Sequence, residues 1–146
     1  MVDTIKIKII IDPYIRTWLS TQFIGHSFEE KSILLPGGGS YAFDAVSEDG
    51  LIVGEILSNR HLTSGGNENT GGVRKAHNSI SYLNMLPQVT IKIMIFSDLK
   101  FYELIKRRSS RWGAQDINMK ICKLPPELES IRQEILNEAS DEQSRL

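Results

Sequence analysis

The chain has 146 residues, of which 40% are hydrophobic and 24% are charged, and these values exclude wholesale disorder, a collagen-like fibre and two large modules. The formal net charge of −1 excludes a uniformly basic or acidic protein, and no apolar run reaches the roughly 18 residues of a membrane-spanning helix. We therefore expect one cytoplasmic domain over residues 1–146 without membrane contact, and the lone cysteine, Cys122, excludes an internal disulfide.

The predicted elements begin with a strand followed by a helix. Lysines alternate with isoleucines from Thr4 to Ile11, and this period of two indicates a strand. Asp12 followed by Pro13 is typical of a helix N-cap and first turn. A helix is therefore predicted from there to about Gly25.

Three strands joined by two turns follow. They are predicted at residues 32–35, 40–46 and 51–57, where turns rich in Gly, Pro, Ser and Asp separate the apolar runs. Residues 58–72 are a polar stretch without periodicity. This stretch would suit either a loop that closes over a phosphate backbone or a mobile connector.

The rest of the chain alternates helices with strands. Their predicted ranges are 73–86 (helix), 89–96 (buried strand), 98–108 (helix capped by Ser97 or Asp98), 118–124 (strand) and 125–140 (acidic helix before a short polar tail). This order predicts the α/β class. The mixed central β-sheet would contain an antiparallel meander that continues through a crossover into parallel strands, and helices would flank it.

Positive charge is concentrated in the middle of the chain. Residues 1–55 hold four Lys and Arg against eight Asp and Glu, residues 56–123 hold eleven against four, and residues 124–146 hold two against six. A basic middle segment favours an anionic partner, most commonly nucleic acid, although solvated helix faces give the same counts.

Two carboxylates, Asp44 and Glu55, stand inside apolar strand patterns. A carboxylate in a core strand costs several kcal/mol unless it is paired or binds a metal. If residues 47–50 form a four-residue loop, Asp44 faces Val53, and the two carboxylates are diagonal neighbours on one sheet face, about 7–8 Å apart at the backbone and within reach of one hard cation. The alternatives are a loop one residue shorter, which separates them, and a half-exposed sheet on which both face solvent.

The hairpin that carries these carboxylates resembles a known motif. An Asp within FDAVSEDG and a Glu within LIVGEIL, set in the order helix, three strands, helix, strand, resemble the PD-(D/E)XK restriction-endonuclease-like nuclease superfamily. The resemblance covers about residues 13–124 and implies a restriction endonuclease-like core with α-β-β-β-α-β order. The sequence departs from the family pattern at Phe43, which replaces a proline, and at Leu57, which replaces a lysine two residues after Glu55.

The resemblance implies a metal-dependent endonuclease that hydrolyses phosphodiester bonds in DNA. Asp44, Glu55 and the main-chain carbonyl of Ile56 would hold Mg²⁺ or Mn²⁺, which activates the attacking water. Lys75 would replace the lysine missing at Leu57, and its alternative is an ordinary surface lysine. Relatives of this size act as homodimers or with a partner protein of a defence or repair system. The rival to the enzyme is a catalytically inactive nucleic-acid-binding or assembly module with the same fold.

Further residues are candidates for contact with metal or nucleic acid. Glu30 would be an accessory outer metal ligand or a solvated turn residue. The three histidines share no metal-binding spacing. The predicted nucleic-acid-binding residues, each with an ordinary surface role as the alternative, are Arg60, His61, Arg74, Asn78, Lys106, Arg107, Arg108 and Arg111.

Overall fold

The computed structural model describes residues 5–63 and 65–144, with side chains as far as residue 138. Five strands run through these residues: β1 (Phe28–Leu34), β2 (Ser40–Ser47), β3 (Ile52–Leu57), β4 (Ile91–Phe96) and β5 (Ile117–Ile121). The α-helices are α1 (Asp12–Gln22), α2 (Thr70–Asn84), α3 (Leu99–Arg108) and α4 (Pro126–Ser144). A π-helical segment, Ile7–Ile11, precedes α1, and a 3₁₀ turn, Ser109–Arg111, follows α3.

The strands form one sheet in the order β1-β2-β3-β4-β5. Strands β1, β2 and β3 pair antiparallel, whereas β3, β4 and β5 pair parallel through the crossover helices α2 and α3. The predicted α/β class, with a mixed sheet of an antiparallel meander and parallel strands flanked by helices, is confirmed. Within the described residues no helix is both long and apolar enough to cross a membrane.

Two apolar layers cover the faces of the sheet. On one face Val53, Leu57 and Phe96 pack with the inner sides of α2 and α3, and on the other face Ile56 and Ile95 pack with α1. All six residues of β3 are buried. Because each large apolar side chain contributes about 1.5–3 kcal/mol on burial, the four apolar residues of this central strand help to hold the two layers on the sheet.

The N-terminal segment differs from its prediction. The strand predicted from Thr4 to Ile11 is wrong, because the residues described there are helical and continue without a break into α1. The isoleucine run has two periods, and Ile7, Ile11 and Ile15, four residues apart, face the core while Ile9 is exposed. The packing of these isoleucines in the core favours the helical period over the strand period. Asp12 therefore lies inside a continuous helix instead of capping one, and the helix ends at Gln22, short of Gly25.

The β2–β3 register differs by two residues from the predicted one. Val46 pairs with Val53, so Asp44 comes opposite Glu55 instead of diagonal to it. The cause is Ser47, whose hydroxyl accepts a hydrogen bond from the Ile52 N–H at 3.0 Å and places the loop at residues 48–51. An even shift keeps the alternation of the predicted register along β3, but β2 changes its register against β1 between Phe43 and Val46, so alternation along β2 does not fix the face of Asp44.

Other boundaries move by a few residues. Strand β1 begins earlier than the predicted 32–35, which places Glu30 inside a strand instead of in a turn. Helix α2 begins at Thr70 because the Asn69 side chain accepts a hydrogen bond from the Gly72 N–H. The predicted capping residue Asp98 accepts from the Phe101 N–H at 2.9 Å. Strand β5 begins one residue earlier and ends three residues earlier than the predicted 118–124.

Candidate active site

The structure brings Asp44 and Glu55 together where β2 and β3 begin to part. The Asp44 N–H donates to Glu55 Oε2 at 3.3 Å, and the Ile56 N–H donates to Asp44 Oδ2 at 2.8 Å. Each carboxylate therefore accepts a hydrogen bond from the backbone of the opposite strand. The last regular pair of the ladder, Ala45 with Gly54, lies immediately before them.

Glu55 is only 2% exposed, which rules out the alternative of a solvent-facing carboxylate at this position. Burial and the negative charge of Asp44 raise the pKa of Glu55 well above its usual range, and the nearby Tyr41 hydroxyl offsets part of that rise. Its Oε1 atom is buried and has no hydrogen-bond partner among the described residues. A buried carboxylate oxygen without a donor is the environment that a bound cation satisfies.

Asp12 is a third carboxylate near the pair, and the sequence analysis did not assign it a role in the site. It is 4% exposed. Burial first, and then the charge of Asp44, raise its pKa to about 6, while Arg16, Lys75 and Lys8 lower it. The signal that could have found it is the helical spacing of Ile7, Ile11 and Ile15, which places Asp12 on the inner side of a helix.

Arg16, on the next turn of α1, was also missed. Its Nε donates to the main-chain carbonyl of Asp44 at 2.7 Å, and its side chain is 16% exposed. The Glu30 carboxylate lies 3.8 Å from both Arg16 and Lys8, so it forms ion pairs at the rim of the site. A cleft of about 390 Å³ opens between α1 and β1, and Arg16 and Glu30 are among its lining residues.

Lys75 lies on α2 and is exposed. Its positive charge lowers the pKa of Asp12, which places it within electrostatic range of that carboxylate. Within the described chain it forms no ion pair. Further along α2, Tyr82 stacks on Tyr41 with ring centroids 3.8 Å apart and an angle of 12°, and this stack holds the Tyr41 ring beside Glu55.

The predicted nucleic-acid-binding residues divide into two groups. Three of them are engaged within the chain: Arg60 donates to Asn137 Oδ1 at 2.8 Å, Arg108 forms an ion pair with Glu68, and Lys106 donates to the Tyr102 hydroxyl at 3.0 Å. The other five consist of four residues with exposed side chains and one with a half-buried side chain. The exposed residues are Arg74, Asn78, Arg107 and Arg111, and the half-buried residue is His61.

A second cluster lies at the turn between β2 and β3. His26 Nδ1 lies 2.9 Å from Glu48 Oε1 and 3.9 Å from Asp49 Oδ2. Among the described His, Cys, Asp and Glu side chains, this is the one group of three whose ligand atoms all lie within 4.8 Å of one another. Ser27 N–H and Ser47 Oγ hold the carboxylates and lower the pKa values of Glu48 and Asp49, so the cluster is explained as a hydrogen-bonded group that stabilises the turn.

Comparison of the chain with protein-family models, with curated proteins and with solved structures finds no match in any of the three. The functional argument therefore depends on the site itself.

Proposed function

We propose that this protein is a metal-dependent endonuclease of the PD-(D/E)XK type, with a restriction endonuclease-like core, that hydrolyses phosphodiester bonds in DNA. The observation that carries the proposal is the pair Asp44 and Glu55, whose carboxylates adjoin on neighbouring strands while the buried Glu55 Oε1 has no hydrogen-bond partner among the described residues. The order of elements, with one helix before the meander and a crossover helix after it, supports the same assignment.

Asp44, Glu55 and the main-chain carbonyl of Ile56 would hold Mg²⁺ or Mn²⁺. The donor set consists of oxygen atoms, which both ions prefer. The Ile56 N–H points to Asp44, and because the N–H and C=O of one strand residue point the same way, its carbonyl faces the same gap. When bound, the ion would lower the pKa of a water molecule and offset charge on the phosphate.

The remaining roles belong to side chains of α1 and α2. Lys75 would hold the attacking water and add positive charge opposite the phosphate, which replaces the lysine absent at Leu57. The buried Asp12 adds a third negative charge, which favours a cation at the site. The Tyr41 ring, held by Tyr82, lies beside the Glu55 carboxyl group.

DNA would contact the basic middle segment of the chain. Exposed Arg74, Asn78, Arg107 and Arg111, together with Lys106 and His61, are the proposed phosphate contacts. Arg60 and Arg108 would join them only by exchanging their present partners. The proposal includes a cytoplasmic location and a homodimer or a partner protein of a defence or repair system.

The test is cleavage of supercoiled plasmid, linear duplex, single-stranded and branched DNA with Mg²⁺ or Mn²⁺. Asp44→Asn and Glu55→Gln are each expected to reduce cleavage at least 100-fold, on the scale of losing an electrostatic contact in the transition state. Lys75→Met is expected to reduce it similarly, and His26→Gln, at the turn cluster, is the matched control with unchanged cleavage. Cleavage that survives both carboxylate substitutions would contradict the proposal.

A catalytically inactive nucleic-acid-binding module is the second candidate. The observation that favours it is Leu57, which stands where the family has its lysine and is fully buried in the apolar layer beneath α2. Such a module would bind DNA with an affinity that falls as salt rises, need no divalent metal for binding, and cleave none of the four substrates.

A further inference from the structure

Strand β2 carries a bulge at the candidate metal ligand. Glu29 pairs with Val46 and Lys31 pairs with Phe43, so Asp44 and Ala45 together stand opposite the single residue Glu30. A bulge disrupts the ladder locally and re-aims side chains. The consequence is visible on both sides of Asp44, because Phe43 and Val46 pack in the α2–α3 layer while Ala45 packs against α1.

The bulge moves the Asp44 carbonyl out of the regular ladder, and Arg16 supplies its donor. The Arg16 Nε–H donates to that oxygen at 2.7 Å, across 28 residues of sequence. Asp44 is thus held at three atoms, namely its N–H by Glu55, its Oδ2 by the Ile56 N–H, and its carbonyl oxygen by Arg16. Of these three contacts, the one with Arg16 comes from outside the β2–β3 pair.

We propose that Arg16 is a positioning residue: by holding the Asp44 carbonyl it fixes the bulge and orients the Asp44 carboxylate toward the gap it shares with Glu55. This inference rests on the proposed metal site. Lysine at position 16 would keep the charge, but it lacks the planar guanidinium whose Nε reaches the carbonyl while a second nitrogen faces Glu30.

Mn²⁺ is the probe, because its binding is measurable by paramagnetic resonance and calorimetry without turnover. Replacing a residue that hydrogen-bonds to a metal ligand and orients it typically weakens metal affinity 10–100-fold. We expect Arg16→Met to weaken Mn²⁺ binding roughly tenfold or more and Arg16→Lys to weaken it less. Thr17→Val is the matched control, since Thr17 is the next residue of α1 and its hydroxyl donates to the Pro13 carbonyl instead of to Asp44, and it should bind Mn²⁺ as the wild type does.

Thermal unfolding of each variant shows whether it is folded before the metal titration, and Arg16→Lys carries the test if Arg16→Met does not fold. Mn²⁺ affinity within about twofold of wild type in folded Arg16 variants would overturn the inference, as would a wild type that binds no Mn²⁺. If the wild type binds Mn²⁺ and the Arg16 variants bind it weakly, but none cleaves DNA, the positioning role stands and the proposed nuclease activity fails.

Discussion

Glu55 is 2% exposed and stands beside Asp44, and both burial and the neighbouring charge favour the protonated form of its carboxyl group. A cation between the two side chains would reverse this preference, because it stabilises both carboxylates in their ionised forms. Proton release and metal binding at this site are therefore linked, so Mn²⁺ affinity is expected to rise with pH.

The same linkage predicts how stability depends on pH. Folding raises the pKa of Glu55 above its ordinary value of 4.5. At pH values between 4.5 and the raised pKa, the folded protein therefore keeps a proton on Glu55 that the unfolded chain has released. The metal-free protein should lose stability as the pH rises above about 5, by up to about 1.4 kcal/mol per pH unit for one proton. Urea unfolding in EDTA at about pH 5.5 and 8.5 measures the loss. Glu55→Gln should flatten the profile, and a wild-type profile that is already flat would contradict the prediction.

Asp12 offers a second test of charge at the site. Because burial and Asp44 raise the pKa of Asp12 to about 6, its ionised form destabilises the metal-free fold above that pH. Asp12→Asn should stabilise the protein in EDTA at about pH 8, by roughly 1–3 kcal/mol. At about pH 3.5, where both states are mostly protonated, the same urea measurement should show little difference. An equal change at both pH values would mean that Asp12 acts through packing and not through charge.

The helices and strands were predicted correctly where one pattern was dominant in the sequence. The meander, the crossover helices and the buried strand β4 follow from apolar runs bounded by turn residues, and the structure contains all of them. The prediction failed for the segment Ile7–Ile11, where an isoleucine run satisfies the strand period and the helix period at once. Only the packing of these isoleucines with Ile15 decides between the two, and such a tertiary contact is not visible in a local pattern.

Some features of the candidate site could likewise be predicted from the sequence and others could not. Asp44 and Glu55 are visible in the sequence because a carboxylate in an apolar strand is conspicuous. Their direct opposition is not, since it depends on the Ser47 hydroxyl that bonds the Ile52 N–H and fixes the loop. Asp12 and Arg16 depend on how α1 lies across the bulged strand, which requires long-range contacts between residues about 30 positions apart.

Helix α4 is attached through a buried cation. Arg132, with a side chain 1% exposed, donates to the Ser58 carbonyl at 2.7 Å and to Asp98 at 3.1 Å, and it also pairs with Glu129 on its own helix. These contacts join α4 to the ends of β3 and β4. The acidic helix predicted at 125–140 is therefore fixed to the core by its most deeply buried polar residue.

Replacing Arg132 by an uncharged residue should lower the free energy of unfolding. Arg132→Met leaves Asp98 and Glu129 without their partner, and breaking a buried ion pair on one side typically costs about 3–5 kcal/mol. Urea unfolding at neutral pH measures this loss. Glu129→Gln is the milder control, because Glu129 is 35% exposed and glutamine keeps an acceptor for Arg132. A loss below about 1 kcal/mol for Arg132→Met would mean that α4 is held by apolar contacts alone.

The acidic and basic segments of the sequence contact each other in the folded molecule. The acidic C-terminal segment packs against part of the basic middle segment, where Arg60 binds Asn137 and the carbonyl of Leu136. Arg108 is likewise engaged by Glu68. The cations that are exposed at the C-terminal end of α3 are Lys106, which donates to the Tyr102 hydroxyl, and Arg107, and just beyond them Arg111.

These exposed cations should dominate DNA binding if DNA is the substrate. Each phosphate contact contributes about one unit to the slope of log affinity against log salt. Arg107→Gln and Arg111→Gln should each weaken the binding of a labelled duplex in EDTA and lower that slope by about one. Arg108→Gln should have a smaller effect, because a phosphate must first displace Glu68 from Arg108. Fluorescence anisotropy between about 50 and 200 mM salt measures both quantities, and an unchanged slope in Arg107→Gln and Arg111→Gln would place the DNA on another face of the molecule.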